Sequence, residues 1–424
     1  MNSEQINIIN EYIETHKNEL FDDLSKLIQF DTQNFITHGN ESECQEYIFK
    51  KFQEYGLNAE IYFPDDVDSL PNHPDYLPGR GTDRRPNVCG TMAGKNPQKI
   101  MVSAHTDTMP VGDPDAWTVD PFGGLCKEGK IFGRGANDNK YGIAIMIFIA
   151  RMFQELNIRP YFTYDFLAYI DEEFGGGNGA LAGSVNNEYV NTISLDSGNY
   201  ELWVSSLGGC IFRIELKTLE PTDCSGKILD AILVLKKELD IFAEKQRYAM
   251  SINPLFSGTD MEKSAFRYYD VKIGDNATNV DRGELNFVYY TDKTKEASLQ
   301  ELNQHISKVR SVLADTVVIS DPIPTTRFFH YLQTPVDSKA VAHMKKCAER
   351  YVDFKVEKRG SCLSDLSLFL KYGSPDSFGF GVLRDFSLYG GAHQADEFVD
   401  CKEFVNVTKA VSSFMLTYRG DNEF

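Results

Sequence analysis

Short apolar runs alternate with amphipathic stretches in the first half of this chain, and this alternation restricts its fold more than any other feature. Lys99–Ala104, Tyr161–Ile170 and Val190–Leu195 have the length and the β-branched and aromatic content of buried strands. Between the first two lies Asn139–Leu156, which repeats apolar residues at helical spacing. Strands separated by helices predict an α/β fold with a mixed, mostly parallel sheet and helices on both of its faces.

A second pattern begins after Ser206. Up to about Asp321 the predicted elements follow the order strand, helix, strand, strand, helix, strand, which is that of a ferredoxin-like α+β module. The α/β pattern then returns. We therefore predict that residues 1–205 and 322–424 form one α/β domain and that residues 206–321 form an inserted lid domain. A chain of two consecutive domains that divides near Ser206 is the competing interpretation.

The charge of the chain limits its partners. It carries 62 acidic and 43 basic residues, a formal net charge of −19, whereas nucleic acids and anionic membranes bind through basic patches. The longest near-continuous apolar run, Ile143–Ala150, is far shorter than the roughly 20 residues of a membrane-spanning helix. No signal-peptide pattern is visible, and the eight cysteines are scattered. These observations predict a cytoplasmic protein with no nucleic-acid or membrane partner.

Acidic and imidazole side chains stand directly after each predicted strand of the α/β part. In open sheets of this class, ligands bind outside the carboxyl ends of the strands. Two histidines with several carboxylates suit a pair of divalent cations such as zinc, and such cations relieve the mutual repulsion of the acids. The candidate residues are His105 and Asp107 after the first strand, Glu172 and Glu173 after the second, Asp196 after the third, Asp138 before the helix, and His393 in the segment GGAHQADEF.

Taken singly, these candidates also have purely structural interpretations. His105 and Asp107 could form a polar surface cluster, Asp138 could be a helix N-cap, and Glu172 and Glu173 could belong to a solvated loop. The glycine-rich segment GGGNG lacks the spacing of a nucleotide-binding loop, and neither GxSxG nor HExxH occurs in the chain. The whole set together favours a metal-dependent hydrolytic site.

The same residues lie in segments that resemble a known family. The segments are RPNV, SAHTDTMPVGDPDAWTVDPFGG, GKIFGRGANDNKYG, DEEFGG, SLDSG and GAHQADEF. Their order and spacing are similar to those of the two-metal exopeptidases and deacylases, which include acetylornithine deacetylase, succinyl-diaminopimelate desuccinylase, aminoacylase and glutamate carboxypeptidase. The resemblance covers the α/β part nearly from end to end and identifies it as the catalytic domain of such an enzyme.

The resemblance implies a role for each ligand. It implies that His105 and Asp196 bind one metal ion. It implies that Glu173 and His393 bind the other, and that Asp138 bridges both and precedes a cis peptide. The ions implied are two zinc ions, with cobalt or manganese as alternatives.

Two further acids have implied roles beside the metals. Asp107 resembles the acid that orients the histidine ligand from outside the coordination sphere. Glu172 resembles the general base, which takes a proton from water held between the metals and passes it to the leaving amine.

The inserted module departs from the family pattern. The stretch Leu216–Lys227 lacks the histidine that the family carries there to stabilise the oxyanion, and Val288–Thr291 ends a strand without the family's substrate-binding arginine. Asn279 stands where a substrate-binding asparagine is common. The module's only histidine before Asp321, His305, falls in mid-helix, where we predict a surface position.

These departures predict an unusual substrate. Arg267, Arg282 or a tyrosine could replace the missing donors. We expect weak activity on acetylornithine, succinyl-diaminopimelate and simple acetyl amino acids. A better substrate would present aromatic or neutral polar groups to Tyr289, Tyr290 and Asn279.

The predicted function is hydrolysis of the amide bond of a small N-acyl amino acid by a metal-bridged hydroxide, with Glu172 as general base. A dipeptidase or carboxypeptidase acting on small peptides is the alternative within the family. A metal-binding pseudo-hydrolase without catalysis is the alternative outside it, and amide hydrolysis with added zinc or cobalt separates the two. The resemblance also implies a homodimer that forms through the lid domain.

Overall fold

A computed structural model describes residues 2–220, 225–274 and 280–420, which form two compact units. Unit 1 comprises Met1–Val204, Gln333–Lys358 and Leu368–Phe424, and unit 2 comprises Ser205–Leu332 and Arg359–Ser367. Unit 2 therefore continues past the predicted lid boundary at Asp321. The reason is that Ile323–Pro324 still pairs with the long strand Gly208–Thr218.

The helices and strands are numbered along the chain. The helices are α1 (Asn2–Ile28), α2 (Ser42–Glu54), α3 (Lys140–Glu155), α4 (Asn178–Ser184), α5 (Ser225–Ile252), α6 (Asp260–Ser264), α7 (Lys295–Leu313), α8 (Lys339–Ala348), α9 (Leu366–Leu368) and α10 (Cys401–Thr417). The strands are β1 (Asn58–Tyr62), β2 (Asn87–Met92), β3 (Asn96–His105), β4 (Leu125–Lys127), β5 (Lys130–Phe132), β6 (Phe162–Tyr169), β7 (Tyr189–Ser194), β8 (Leu202–Ser206), β9 (Gly208–Thr218), β10 (Phe266–Ile273), β11 (Arg282–Thr291), β12 (Val317–Ile319), β13 (Ile323–Pro324), β14 (Leu332–Gln333), β15 (Lys358–Ser361), β16 (Ser377–Phe380) and β17 (Phe398–Asp400).

Unit 1 is built on a mixed sheet with a parallel centre. Its strands lie in the order β1, β2, β6, β3, β7 and β16, followed by β8 and β14. The neighbours β6, β3, β7 and β16 run parallel, whereas β1, β2 and β8 pair antiparallel to their neighbours. Every residue of β6 is buried, as is typical of a strand covered on both faces. The predicted α/β fold with a mixed sheet is confirmed.

Helices cover both faces of this sheet. On one face α3 packs against β3, and Gly142 allows the close approach: a Cβ atom there would lie 2.7 Å from the Cβ of Ala104. Helices α1 and α10 pack against α3. On the other face, α4 and the helical turn after Leu368 pack onto Met101, Leu167 and Tyr169. This packing fixes β3, β6 and β7, whose carboxyl ends carry the candidate residues.

Unit 2 contains an antiparallel sheet in the order β10, β11, β9, β12. Helices α5 and α7 pack on one face of it, over Phe212, Phe287 and Tyr289. This order of strands and helices is the ferredoxin-like arrangement that the sequence predicts. Helix α5 extends to Ile252, ten residues beyond the apolar pattern that identified it.

None of the helices in the described ranges combines the length and the apolar content needed to cross a membrane. The three-stranded sheet β17, β5, β4 completes unit 1 and connects the segment after His393 to the segment before Asp138.

Candidate metal centre

The structure brings five predicted ligands together at the carboxyl edge of the unit 1 sheet. His105 is the last residue of β3, Glu173 lies four residues after β6, and Asp196 lies two residues after β7. Asp138 immediately precedes the N-cap of α3, and His393 lies in the loop between β16 and β17. Parallel strands place their carboxyl ends at one edge, so ligands distant in sequence become neighbours.

The orientation of His105 follows from its contact with the backbone. Its Nδ1 atom lies 2.8 Å from the carbonyl oxygen of Asp107. Because a carbonyl oxygen only accepts, Nδ1 carries a proton and donates it. The Nε2 atom therefore points inward, 2.8 Å from Oδ1 of Asp138 and 3.6 Å from Oδ1 of Asp196. The inward nitrogen is the one available to a metal.

The carboxylate of Asp107 holds the loop after β6. It accepts hydrogen bonds from the backbone N–H groups of Glu172 (3.1 Å) and Glu173 (3.0 Å) and from the side-chain amide of Asn34 (2.8 Å). The nearest carboxylate oxygen lies 3.6 Å from Nδ1 of His105, farther than the carbonyl oxygen of the same residue. Asp107 thus contacts His105 mainly through its backbone and positions Glu172 and Glu173 through its side chain.

Asp138 lies between two groups of ligands. Its Oδ1 faces His105, and its Oδ2 lies 3.1 Å from Nε2 of His393, which is 3.3 Å from Oε2 of Glu173. The peptide bond between Asp138 and Asn139 is cis. The ligand atoms of His105, Asp138 and Asp196 all lie within 4.8 Å of one another, as do those of Asp138, Glu173 and His393. Asp138 belongs to both groups.

Glu172 and Glu173 are held by a buried ion pair beneath them. Arg80 binds Asp171 through Oδ1 at 2.8 Å and also donates to the backbone carbonyl of Glu173 at 2.8 Å. The Oε1 atom of Glu173 accepts the backbone N–H of Met109 at 2.9 Å, which leaves Oε2 facing His393. Glu172 is partly exposed beside the ligands, the position that a proton-transferring group requires.

Arg134 and Glu397 connect the segments that carry Asp138 and His393. Their buried ion pair has an Nη1–Oε2 distance of 2.6 Å. The other carboxylate oxygen of Glu397 accepts the backbone N–H groups of Asn137 (2.9 Å) and Asp138 (3.0 Å). Both residues lie inside the quoted motifs GRGANDNK and GAHQADEF, but the sequence reasoning assigned them no function.

Arg384 is the residue of this centre that sequence reasoning missed. Its side chain is only 6% exposed, and its guanidinium donates to Asp138 through Nη2 and to Asp196 through Nη1. It lies nine residues before His393, outside the quoted motifs. No local sequence signal identifies it, because the acids that it contacts lie 188 and 246 residues away.

The contacts among these side chains shift their pKa values in opposite directions. Burial acts to raise the pKa of Asp138, but the Arg384 guanidinium and hydrogen bonds from His105 and His393 hold it well below its usual range. Burial acts to lower the pKa of His393, but the carboxylates of Glu173 and Asp138 raise it to about 10. The imidazole thus binds a proton at neutral pH unless another cation takes its place.

The donor set fits two divalent cations. Each group of three offers imidazole nitrogen and carboxylate oxygen, the ligands that zinc takes in proteins. The carboxylates are buried, and a buried anion requires a compensating cation.

Three predictions for the module concern Asn279, His305 and Tyr289. Asn279 lies outside the described residues. The predicted surface position of His305 is wrong: it is 3% exposed, and its Nδ1 lies 2.7 Å from Glu238, because α5 packs against α7. The idea that Tyr289 faces a substrate is also wrong, because its side chain packs under α5 and donates to Gln246 at 3.2 Å.

Comparison with protein-family models decides the classification. The model of peptidase family M20/M25/M40 matches residues 101–417, well over half of the chain. The chain belongs to this family. The motifs identified above fall within the matched segment, apart from RPNV.

Individual relatives agree with the family assignment. The succinyl-diaminopimelate desuccinylase of Rhodospirillum centenum is 41% identical over 99 residues, which cover 23% of this chain and 25% of that enzyme. Matches to curated desuccinylases span 16% to 60% of the length of those proteins.

Solved structures share the fold over nearly the whole chain. Human carnosine dipeptidase 1 superimposes with a TM-score of 0.68 at 15% identity, covering 97% of this chain and 98% of that one. A dinuclear metal-binding M20 peptidase of Bacillus subtilis has a TM-score of 0.60 at 13% identity, covering 95% of this chain and 98% of that one.

Proposed function

We propose that this M20 family member hydrolyses the amide bond of small N-acyl amino acids with the help of two zinc ions. The observation that carries the proposal is the pair of ligand groups that share Asp138, with Glu172 beside them. Within the described residues, His105 and Asp196 would hold one ion and Glu173 and His393 the other. Two ions bound in this way supply electrophilic activation of the amide carbonyl and of the attacking water.

The chain's own residues account for the proton transfers. Glu172 is fixed at its backbone N–H by Asp107, so its partly exposed carboxylate stays next to the ligands. It takes the proton of the attacking water and gives it to the leaving amine. Arg80 and Asp107 hold the loop that carries this carboxylate, through hydrogen bonds to the backbone of Glu173.

The N-acyl amino acid class is supported by the 41% identity to a desuccinylase segment, since that enzyme's name describes removal of an acyl group from an amino acid. Small peptides are the competing substrates because they contain the same bond. The proposed substrate has an aromatic or neutral polar group. The hydroxyl of Tyr290, one of the residues predicted to face this group, accepts a hydrogen bond from Arg267 at 2.9 Å.

The test uses metal-loaded protein and a panel of N-succinyl, N-acetyl and N-aroyl amino acids together with dipeptides. We expect hydrolysis of at least one N-acyl amino acid with a higher kcat/KM than any dipeptide. The Glu172→Gln variant should lose about 100- to 10,000-fold in kcat and keep both metal ions, because it removes only the base. Glu188→Gln, which changes an exposed glutamate immediately before β7, is the matched control and should retain full activity.

Three results would count against the proposal. A chain that binds no metal under any loading has no such centre. Faster turnover of dipeptides reassigns the substrate class. A Glu172→Gln variant with most of its kcat shows that another group is the base.

We also propose that unit 2 pairs with a second copy of itself. Strand β10 is at the end of the unit 2 sheet and, within the described residues, pairs only with β11. Its outward side chains Tyr269, Val271 and Ile273 are exposed, and an unpaired apolar edge is a template for another strand. We expect twice the chain mass in light scattering. Val271→Lys should halve that mass. Val312→Lys, which changes an exposed residue of α7, should leave it unchanged.

A further inference from the structure

Arg384 occupies the same carboxylates that the first metal ion requires. Its two terminal nitrogens donate to Asp138 and Asp196, and the Oδ1 atoms they contact are the ones that face Nε2 of His105. In this structure the guanidinium is therefore the cation of the His105–Asp138–Asp196 group. A metal ion bound to these oxygens would lie against the guanidinium, and the two positive charges would repel each other.

The other ligand group shares Asp138 with this one, but Arg384 contacts only the Oδ1 atom of that residue. The Oδ2 atom of Asp138 lies 3.1 Å and Oε2 of Glu173 lies 3.3 Å from Nε2 of His393, and Arg384 donates to neither of these two oxygens. Among the described residues, no lysine or arginine forms an ion pair with these two oxygens, so an incoming ion meets no guanidinium there. The two halves of the centre thus present different competitors to an incoming ion.

The backbone of Arg384 is anchored, whereas its side chain is held mainly by the two carboxylates. The N–H of Leu383 donates to Glu403 at 2.7 Å, and the amide of Asn137 donates to the carbonyl of Leu383. Gly198 makes room for the segment, since a Cβ atom there would lie 2.7 Å from the Cβ of Arg384. The buried Nε of Arg384 has no hydrogen-bond partner among the described residues. Among the described residues, the guanidinium donates hydrogen bonds to these two carboxylates, and the charge of Glu172 also acts on it.

We propose that Arg384 is a competing cation built into the chain, which must leave Asp138 and Asp196 before the His105 half of the centre can bind metal. The two halves then fill in order, the Glu173–His393 half first and the His105–Asp196 half second and more weakly. This inference rests on the two-metal centre of the proposed function. Each charge-assisted hydrogen bond that the guanidinium loses corresponds to about a 10- to 150-fold factor in an equilibrium constant.

The experiment measures zinc binding to the full chain by competition with a chelating dye, so that it does not depend on activity. The parent should show one tight and one weak ion, with dissociation constants at least about 10-fold apart. Arg384→Met should tighten the weak step by at least about 10-fold and leave the tight step unchanged. Arg350→Met, which removes an exposed arginine, is the control for net charge and should change neither step.

The two halves can be assigned in a background that retains only one of them. His393→Ala removes a ligand of the half that Arg384 does not contact, so the remaining ion must bind at His105 and Asp196. In this background, adding Arg384→Met should again tighten binding. If removal of the guanidinium prevents folding, Arg384→Lys keeps the charge but cannot span both carboxylates, and it should tighten the weak step by a smaller factor.

The outcomes separate this inference from the proposed function. Two ions bound with equal affinity in the parent and in Arg384→Met overturn the role of Arg384 and leave the two-metal centre intact. Absence of metal binding in the parent and in both Arg384 variants overturns the two-metal centre itself. Loosening of the weak step in Arg384→Met shows that the arginine supports the site instead of competing for it.

Discussion

Replacing Glu397 with glutamine tests whether the metal centre depends on a residue that binds no metal. One oxygen of Glu397 accepts the N–H groups of Asn137 and Asp138, and the other pairs with Arg134, which is 2% exposed. An amide has one accepting oxygen, so in either orientation its NH₂ group faces a donor. Breaking one partner of a buried ion pair costs about 3–5 kcal/mol.

Two measurements follow from this magnitude. At about 2 °C per kcal/mol for a unit of this size, the apparent melting temperature should fall by about 6–10 °C. Because Glu397 fixes the backbone of Asp138, which we propose as the bridging ligand, zinc affinity should also fall by about 10- to 100-fold, the usual effect of losing a residue that orients a ligand. Thermal denaturation and dye competition measure the two quantities independently.

The matched control is Glu41→Gln. Glu41 forms a buried ion pair with Arg85 at 2.5 Å in the same unit. Its carboxylate accepts hydrogen bonds from Arg85 and not from the backbone of a proposed ligand. Burial raises the pKa of Glu41 to about 7, so the comparison is made at pH 8, where its carboxylate is ionised. We expect a similar loss of stability with unchanged zinc affinity. Unchanged zinc affinity in Glu397→Gln, or an equal loss in Glu41→Gln, would refute the reasoning.

Three other predictions concern the same unit. Asp107→Asn replaces a carboxylate, which accepts two backbone N–H groups, with an amide, whose NH₂ group would face one of these donors. We therefore expect kcat to fall while one zinc ion remains bound. Retention of full kcat would contradict the positioning role of Asp107. Zinc binding at pH 7.5 should release the proton of His393, whose pKa is raised to about 10, and apparent affinity should therefore increase with pH up to that value; calorimetry in buffers of different ionisation enthalpy measures the release, and a buffer-independent enthalpy would oppose it. Gly142→Ala should lower stability by about 1–3 kcal/mol, since its methyl group would meet Ala104 and Leu195, whereas Gly226→Ala, with open space around it, should not; equal urea midpoints for the two would show that α3 can move.

The sequence was sufficient to predict the positions of the ligands but not their contacts. His105, Glu173 and Asp196 follow strands whose apolar runs are unambiguous, and parallel pairing of those strands leaves one possible edge for all three. Asp107 illustrates what the motif could not show. Its carboxylate reaches the N–H groups of the neighbouring loop, and only the conformation of that loop decides this.

Each error in the prediction of individual residues has a physical reason. Residues on both faces of β11 are apolar and buried, so the alternation that normally identifies the core face was missing around Tyr289 and Tyr290. His305 was assigned to the surface because it falls in mid-helix, and its partner Glu238 lies on another helix, 67 residues away. Arg384 was missed for a different reason: a guanidinium that pairs with acids 188 and 246 residues away leaves no local pattern.

The position of unit 2 within the chain determines the order in which the ribosome delivers the metal centre. His105, Asp138 and Asp196 are all synthesised before unit 2, whereas Arg384 and His393 are synthesised after it. A nascent chain therefore contains the three ligands of one half before the arginine that contacts two of them exists. If Arg384 competes as we propose, metal supplied during translation would meet no competing guanidinium, whereas metal supplied to the finished protein would.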